Sequence, residues 1–324
     1  MEPASLRALR FFVASVDRTR WITRVALVRH EGKHLGMVFA KELKYAGIPT
    51  GILYSDSTLC PTIVSAIEDR ELVLEKGVGA LLARAGCLGM RFVIGPAEDR
   101  LFARIAARLD VKFHARDFQN HSILELPPHY NSFLEAIGKR SRRNLRYYRE
   151  RFENAGGQWV EHISAPEFSA AAEYLMNRCT LRHRRRRIER TLAMVTAAEA
   201  PIRMGLRGKE GQWLSIVGGW HDADLAVICF QLNDDKGHPQ MSLCTVLRGY
   251  LIEDAISRNV RAIAFWAGAS GQLAPYCRVV PAICVHLDSN KFLWRTLRRL
   301  LTGMAGLYPS RFRRAIEWIA ADAK

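Results

Sequence analysis

The segment 240–250 contains residue types that could hold a phosphate. The sequence predicts a strand over 240–245 and, directly after it, a helix whose apolar residues recur at 3.6-residue spacing. This places Arg248 and Gly249 in the first helical turn, where free backbone N–H groups and the positive end of the helix dipole attract anions. Gly249 would let a ligand approach the backbone, and Arg248 would add a forked cation. We therefore expect a phosphate or pyrophosphate at this turn, although an Arg-Gly pair also begins many helices that bind no ligand.

The elements around this turn must position it. Further strands are predicted on both sides of the helix, and a short helix carrying Tyr276 follows the last of them. These strands cover 202–206, 213–220, 225–232 and 261–266. With the strand over 240–245, the order is four strands, a helix, a fifth strand and a short helix.

The first 126 residues repeat a similar order. Strands are predicted over 21–29, 34–43, 48–54 and 90–94, and helices over 65–85 and 98–109. A hairpin turn at 30–33 joins the first two strands. No Arg-Gly turn precedes the first helix, so we expect no working pyrophosphate site in this half. Asp56 follows a strand and could line a cleft facing the second half, with an Asx-type turn as the alternative.

From about residue 127 to residue 287 the chain resembles the GNAT acyltransferase superfamily. The resemblance is to a bacterial acetyltransferase-domain branch related to the FemABX peptidyltransferases and often met beside polysaccharide biosynthesis. The order of elements carries it, together with the motifs Ser141-Arg-Arg-Asn-Leu-Arg, Val217-Gly-Gly-Trp, Leu247-Arg-Gly-Tyr-Leu-Ile and Phe265-Trp-Ala-Gly, with Tyr276 beyond. The chain departs from this family in two ways. Cys277 stands where many relatives carry Lys, and the loop before the helix holds fewer glycines than the superfamily's pyrophosphate loop.

The resemblance implies an α/β fold with mixed sheets, built as two GNAT-like halves in tandem. We expect a degenerate GNAT-like domain over 1–126, a GNAT acyltransferase domain over 127–288, and basic amphipathic helices over 289–324. At roughly 100 to 200 residues per domain, a chain of 324 residues is long enough for two.

The resemblance also implies roles for individual residues. In the related fold, the strand before the phosphate-binding helix splays from its neighbour, and the pantetheine of the donor lies in that gap. The matching positions for the pantetheine are Ser242, Leu243, Cys244 and Thr245, and those for the pyrophosphate are Leu247, Arg248, Gly249 and Tyr250. Tyr276 would give a proton to the leaving thiolate, and a tyrosine packed on the core is the alternative. Trp266 and Ser270 are placed to line the acceptor pocket.

Composition excludes several classes of protein. A hydrophobic fraction of 49% and a charged fraction of 25% are typical of a soluble globular protein. No apolar run approaches the ~18 residues of a membrane span, and 9–16 is too short for a secretory signal, so we expect a cytoplasmic protein. The seven cysteines are scattered without C-x-x-C spacing. We therefore expect neither a disulfide nor a metal site, and a nucleophilic role for Cys277 is only an alternative.

The net charge of +16 is concentrated in three stretches, 139–151, 182–190, and 291–299 with 311–314. Nucleic acid, an anionic membrane surface or a phosphate-rich substrate could each explain them. For the first stretch the alternative is a solvated helix face, with Arg146–Glu150 and Arg149–Glu153 pairs at i,i+4. The third combines an apolar stripe with cations and aromatics, which suits peripheral contact with an anionic membrane or packing against the second domain.

Three functions follow from these observations. The first is an acyltransferase that uses acyl-CoA, acetyl-CoA or an acyl carrier protein as donor, with no metal. Its acceptor would be the amine or hydroxyl of a polar or sugar precursor for envelope or exopolysaccharide assembly. The second is a FemABX-like transferase that uses an aminoacyl-tRNA, which would give the arginines a phosphate-binding role. The third is a non-catalytic basic module that binds nucleic acid or an anionic membrane. We expect no exposed aromatics interleaved in the arginine runs, and the sequence has no DNA-reading motif, which both argue against this third function.

Overall fold

The computed structural model describes residues 4–45, 47–56, 62–118, 121–178, 185–266, 268–269 and 271–288. The chain divides into two compact units. The first comprises Met1–Leu9, Val16–Phe118 and Ala282–Lys324, and the second comprises Arg10–Ser15 and Gln119–Pro281. In the described residues, each unit contains a mixed sheet of seven strands. No described helix combines the length and apolarity that a membrane span requires.

Helix α1 (Ala4–Ala14) contributes residues to both units. The other elements of the first unit are β1 (Trp21–His30), β2 (Lys33–Tyr45), β3 (Ile48–Asp56), β4 (Ile63–Ser65), α2 (Arg70–Ala83), β5 (Gly89–Ile94), α3 (Asp99–Arg108), β6 (Lys112–Asp117) and, from the end of the chain, β14 (Ile283–Asp288). The strand order is β1-β2-β3-β5-β14-β6, and β4 pairs with β2. Strands β3 and β5 are parallel.

The second unit contains the remaining elements. They are β7 (His121–Glu125), α4 (Tyr130–Ala136), α5 (Lys139–Asn154), β8 (Gln158–Val160), α6 (Ala165–Arg178), α7 (Arg185–Ala197), β9 (Pro201–Arg207), β10 (Trp213–Asp222), β11 (Leu225–Asn233), α8 (Leu243–Ser257), β12 (Ala262–Phe265), a 3-10 helix (Gly271–Tyr276) and β13 (Arg278–Val280). The strand order is β8-β9-β10-β11-β12-β7-β13. Strands β11 and β12 are parallel and are joined by the crossover helix α8.

Buried apolar side chains hold each unit together. In the first unit, α2 and α3 pack on the sheet, with the rings of Phe92 and Phe102 4.7 Å apart. In the second unit, α8 packs with α4 and α5 in one cluster, and α6 with α7 in another. Strand β10 is therefore buried along most of its length, as expected for a strand covered on both faces.

Each sheet takes one strand from a distant part of the chain. Strand β14 pairs with β5 on one side and β6 on the other in the first sheet. Strand β7 lies in the same way between β12 and β13 in the second sheet. Strands β6 and β7 are consecutive in the chain and yet lie in different sheets. The predicted domain boundaries at 126 and 288 fall just after β7 and at the end of β14.

Most of the predicted strands are present. Strands β1, β2, β3 and β5, and strands β9 to β12, match predicted strands to within a few residues. The hairpin between β1 and β2 turns at Glu31 and Gly32, whose φ angles are 49° and 79°. Two positive φ angles are typical of the tight turns that suit the twist of paired strands.

One predicted element is wrong, and another begins later than predicted. No strand forms over 240–245, because α8 already begins at Leu243. The helix predicted over 65–85 begins only at Arg70, and β4 precedes it. Ile137 and Gly138 have extended backbone angles and separate α4 from α5.

Two predictions concern residues outside the described part of the chain. These are the basic amphipathic helices over 289–324 and the acceptor contact Ser270.

Candidate functional site

Strands β11 and β12 are paired over only part of their length. Their parallel register runs from Leu225 and Ala262 to Ile228 and Phe265, and the N–H of Trp266 donates to the Ile228 carbonyl at 2.9 Å. Strand β11 continues to Asn233, and these last residues pair with β10 but not with β12 in the described residues. The opening bordered by Cys229–Asn233 and Trp266 is the β11–β12 gap. In the described residues, this part of β11 has a partner strand on one side only.

A bulge in β11 coincides with the start of this gap. Gly218 of β10 lies opposite Phe230, and Gly219 lies opposite Ile228, so Cys229 is the extra residue. A Cβ on Gly219 would come within 2.0 Å of the Val227 carbonyl oxygen, which explains why glycine occupies this position. The Val-Gly-Gly-Trp motif therefore shapes the strand that borders the gap.

The thiol of Cys229 has a structural contact in the bulge. It donates to the Gly218 carbonyl at 3.1 Å. Burial raises the pKa of the Cys229 thiol, so the thiol stays protonated at neutral pH. A protonated thiol is a poor nucleophile, and Cys229 is accordingly a packing residue.

Helix α8 begins beside the gap, one turn earlier than the sequence indicated. Ser242 has a left-handed backbone with φ of 46°, and its carbonyl accepts the N–H groups of Thr245 at 2.8 Å and Val246 at 3.2 Å. The hydroxyls of Ser242 and Thr245 are 2.8 Å apart. The amides of Leu243 and Cys244 have no acceptor within the helix, since they belong to its first turn. The positive end of the helix dipole thus lies at 243–245.

The prediction that Arg248 and Gly249 begin the helix is therefore wrong. Both lie in the second turn, where backbone amides are bonded within the helix. Gly249 is buried, and a Cβ added to it would stand 3.4 Å from Leu145 of α5 and 3.9 Å from the Tyr130 hydroxyl. Its small size allows α5 to pack on α8. Leu247 is fully buried in the same core.

The side chain of Arg248 nevertheless reaches the gap. Its Nε donates to Gln231 Oε1 of β11 at 3.3 Å, and its guanidinium lies 5.4 Å from the ring centre of Phe265 at the end of β12. The thiol of Cys244 also donates to Gln231, at 3.6 Å. Burial raises the pKa of the Cys277 thiol, and the charge of Arg248 opposes this rise. Arg248 thus contacts one residue from each of the two strands that border the gap, Gln231 of β11 and Phe265 of β12.

Tyr250 belongs to a polar network between α5 and α8. Its hydroxyl donates to Glu153 at 2.5 Å, its ring stacks on Trp159 at 5.1 Å, and Arg149 lies 4.1 Å above the ring. Arg149 also pairs with Glu153 at 3.1 Å and Glu253 at 2.5 Å. Burial, with the Glu153 carboxylate, raises the pKa of Tyr250 to about 12. These contacts account for Tyr250 without a ligand.

Tyr276 is the last residue of the 3-10 helix, and its hydroxyl lies beside the start of α5. Its hydroxyl accepts the N–H of Gly138 at 2.8 Å and is 3.3 Å from the hydroxyl of Ser141. These two hydrogen bonds, that of Ser141 first, lower the pKa of Tyr276. A tyrosine whose anion is stabilised in this way is a better proton donor than a free one.

Two other predicted contacts are described. Trp266 packs edge to face on Trp220 with ring centres 5.8 Å apart, beside the last hydrogen bond between β11 and β12. Asp56 is the last residue of β3 in the first unit. The remaining predicted site residues in the described chain belong to the second unit. No group of side chains suited to hold a metal ion is present in the residues that the structure describes.

The loop between β11 and α8 is fixed by a residue that the sequence did not single out. Asp234 is buried, pairs with Arg178 at 3.1 Å and accepts the N–H of Gly237 at 3.0 Å. Its backbone carbonyl accepts the N–H of His238. The sequence Asp-Asp-Lys-Gly at 234–237 is typical of a turn, and a turn at this point could have been predicted from it.

Helix α5 carries cations that lack acidic partners. The predicted Arg149–Glu153 pair is confirmed, but Arg146–Glu150 is not among the ion pairs of the described chain. In that part of the chain no ion pair joins an acidic residue to the cations of the first two turns, which are Lys139, Arg140, Arg142, Arg143 and Arg146. The side chain of Tyr147 on the same helix is 51% exposed. The expectation that no exposed aromatic lies among these arginines is thus wrong.

Solved structures share this fold at low sequence identity. FemX matches with a TM-score of 0.61 and 10% identity, over 88% of this chain and 92% of its own. The L-PGS structure from Bacillus licheniformis matches with a TM-score of 0.54 and 13% identity, over 80% and 83%. The C-terminal DUF2156 domain of a putative lysylphosphatidylglycerol synthetase from Agrobacterium fabrum matches with a TM-score of 0.55 and 11% identity, over 92% and 90%.

The chain shares the fold of FemX. The predicted fold class and the predicted kinship with the GNAT and FemABX folds are thereby confirmed. No protein-family model matches the sequence, and no curated protein matches it significantly. In the second unit, strands β7 to β11 precede helix α8 in the chain, and β11 is the last of them. The place that the sequence analysis gave to the segment 242–245, the strand directly before the helix, is therefore taken by β11.

Proposed function

We propose that the protein is an acyltransferase that moves an acyl group from a phosphate-bearing carrier to an amine or hydroxyl. The end of the β11–β12 pairing at the Trp266–Ile228 hydrogen bond, while β11 continues to Asn233, is the observation that carries this proposal. An open strand edge can pair with the amide groups of an extended carrier arm. The first-turn amides of α8 lie at the end of the loop that follows this edge, where they suit a diphosphate.

Most of the rate acceleration would come from orientation. A carrier paired with β11 and anchored at α8 holds its carbonyl fixed while the acceptor approaches. Tyr276 would give its proton to the leaving group, which departs as a neutral thiol or alcohol. Trp266 supports an acceptor pocket at the mouth of the gap, because it ends the paired part of β12 and is partly exposed.

We propose an acyl-CoA or an acyl carrier protein as the donor and a polar precursor of envelope or exopolysaccharide assembly as the acceptor. A cytoplasmic location gives access to such donors. The basic stretches would allow peripheral contact with an anionic membrane where the acceptor is assembled.

An aminoacyl-tRNA is the second candidate donor, favoured by the surface of α5. Five cations over two turns have no acidic partner among the described residues and suit a phosphate backbone. The exposed ring of Tyr147 could stack on an unpaired base. FemX and the L-PGS structure share the fold that this reading requires.

The first prediction tests the α8 site with a matched pair of variants. Thr245→Asp places a carboxylate in the first turn, which stabilises the helix but repels a diphosphate. Thr245→Asn has the same size without the charge. We expect Thr245→Asp to weaken CoA binding about tenfold or more, and Thr245→Asn to change it little. Isothermal titration measures both affinities, and thermal unfolding checks that both variants fold.

The two donors are separated by binding measurements on the wild type. Stabilisation by CoA but not by tRNA supports the thioester donor. Binding of tRNA that weakens in Arg140→Gln and Arg143→Gln, with no response to CoA, supports the second candidate. If CoA, acyl carrier protein and tRNA all fail to bind, or if nucleic acid is retained without any transfer activity, the proposed acyltransferase function is wrong.

A further inference from the structure

We propose that Gly138 and Ser141 are positioning residues for Tyr276, an inference that rests on the function proposed above. Tyr276 meets them across 138 and 135 residues of sequence. Its hydroxyl accepts the Gly138 N–H at 2.8 Å and lies 3.3 Å from Ser141 Oγ. The start of α5 therefore fixes the oxygen that exchanges the proton.

The phenol of Tyr276, and not the backbone conformation, explains why position 138 is a glycine. Gly138 has φ of −59° and ψ of 151°, angles that any residue adopts. A Cβ there would stand 2.9 Å from the Tyr276 hydroxyl oxygen, closer than side chains tolerate. The missing side chain is what lets the phenol reach the N–H of Gly138.

The contacts with Gly138 and Ser141 can stabilise Tyr276 both as a phenol, before it gives up its proton, and as a phenolate afterwards. Before transfer, the phenol O–H is available to the leaving sulfur or oxygen while its oxygen accepts from Gly138. When the bond from the acyl carbon to the leaving atom breaks, the proton passes to that atom and Tyr276 becomes a phenolate. The phenolate then accepts two hydrogen bonds, from Gly138 N–H and Ser141 O–H. It recovers its proton from the acceptor amine or hydroxyl, through water.

The pKa of Tyr276 is lowered chiefly by its hydrogen bonds, with Ser141 the larger cause. Ser141 is also the first residue of the Ser-Arg-Arg-Asn-Leu-Arg motif, and positioning of Tyr276 gives that residue a role.

The decisive test follows the ionisation of Tyr276 without any substrate. Tyrosinate absorbance is recorded against pH for each protein, and the curve of its Tyr276→Phe counterpart is subtracted. We expect Tyr276 to ionise below the ordinary tyrosine range in the wild type. Ser141→Ala and Gly138→Ala should each move the transition to higher pH, and Ser141→Thr, which keeps the hydroxyl, should restore it. If Ser141→Ala leaves the transition unchanged, the positioning role is wrong.

Kinetics gives an independent readout. Ser141→Ala should lower kcat about tenfold with little change in KM, and Tyr276→Phe about a hundredfold. Adding Ser141→Ala to Tyr276→Phe should cause no further loss, because Ser141 acts only through the phenol. A further loss in the double variant would contradict the inference.

The two proposals fail in different ways. If no donor supports transfer, the acyltransferase proposal fails, while the absorbance titration still shows whether Gly138 and Ser141 hold the phenolate. If transfer is efficient and the titration of Ser141→Ala matches the wild type, the acyltransferase proposal stands and the positioning role is rejected.

Discussion

At the scale of single residues, Tyr250 shows how a motif can place the right residue in the wrong role. The Arg-Gly-Tyr sequence suggested a tyrosine beside a pyrophosphate. Its hydroxyl instead donates to Glu153, and its ring lies between Trp159 and Arg149. This network joins α8 to the second half of α5.

Tyr250→Phe separates these two roles. The change removes the hydrogen bond to the partly exposed Glu153 carboxylate but keeps the ring. We expect the free energy of unfolding to fall by about 1 kcal/mol, measured by urea denaturation. Affinity for CoA should stay within about twofold of the wild type. A tenfold loss of CoA affinity with unchanged stability would instead return Tyr250 to the ligand site.

At the scale of elements, the position of Gly249 inside α8 decides its meaning. A glycine in the first turn serves a ligand, whereas a glycine in the second turn serves the neighbouring helix. Leu145 of α5 lies 3.4 Å from the position of a Cβ on Gly249, an ordinary van der Waals distance. A methyl group therefore fits, but a larger side chain would separate α5 from α8.

Two substitutions at Gly249 test this packing role. Gly249→Ala should raise the free energy of unfolding by about 0.5 to 1 kcal/mol, because alanine favours the helix. It should leave CoA affinity unchanged. Gly249→Leu should destabilise the protein by about 1 to 3 kcal/mol through overpacking. Loss of CoA affinity in Gly249→Ala, with normal stability, would show that a ligand approaches this backbone after all.

At the scale of the whole molecule, strands β7 and β14 determine which fragments of the chain can fold alone. Strand β7 fills the space between β12 and β13, and its removal would expose two strand edges in the second unit. A cut at the predicted boundary of 126 removes this strand, whereas a cut at 118 keeps it.

Two fragments that differ only by this strand provide the test. We expect the fragment 119–281 to unfold cooperatively in urea and the fragment 127–281 to be unfolded or aggregated. Circular dichroism and size-exclusion chromatography distinguish these outcomes. If 127–281 is as stable as 119–281, β7 is dispensable and the second sheet is complete without it.

The sequence by itself determined most of the elements and the fold. The alternating strands, the helix after them and the order of motifs were sufficient, because periodicity and turn residues act locally. Local pattern failed at 240–245, where a helix buried on both sides begins with an apolar run that also suits a strand. That shift moved the expected anion site by one turn and hid the open edge of β11.

Only the tertiary structure decided which residues meet. The hydrogen bonds from Gly138 and Ser141 to Tyr276 join parts of the chain more than a hundred residues apart. The gap exists because β11 continues where its pairing with β12 stops. The positions of β7 and β14 likewise depend on pairing with strands from distant segments of the chain. Such long-range contacts leave little trace in local spacing, since the residues at each end satisfy local rules equally well with other partners.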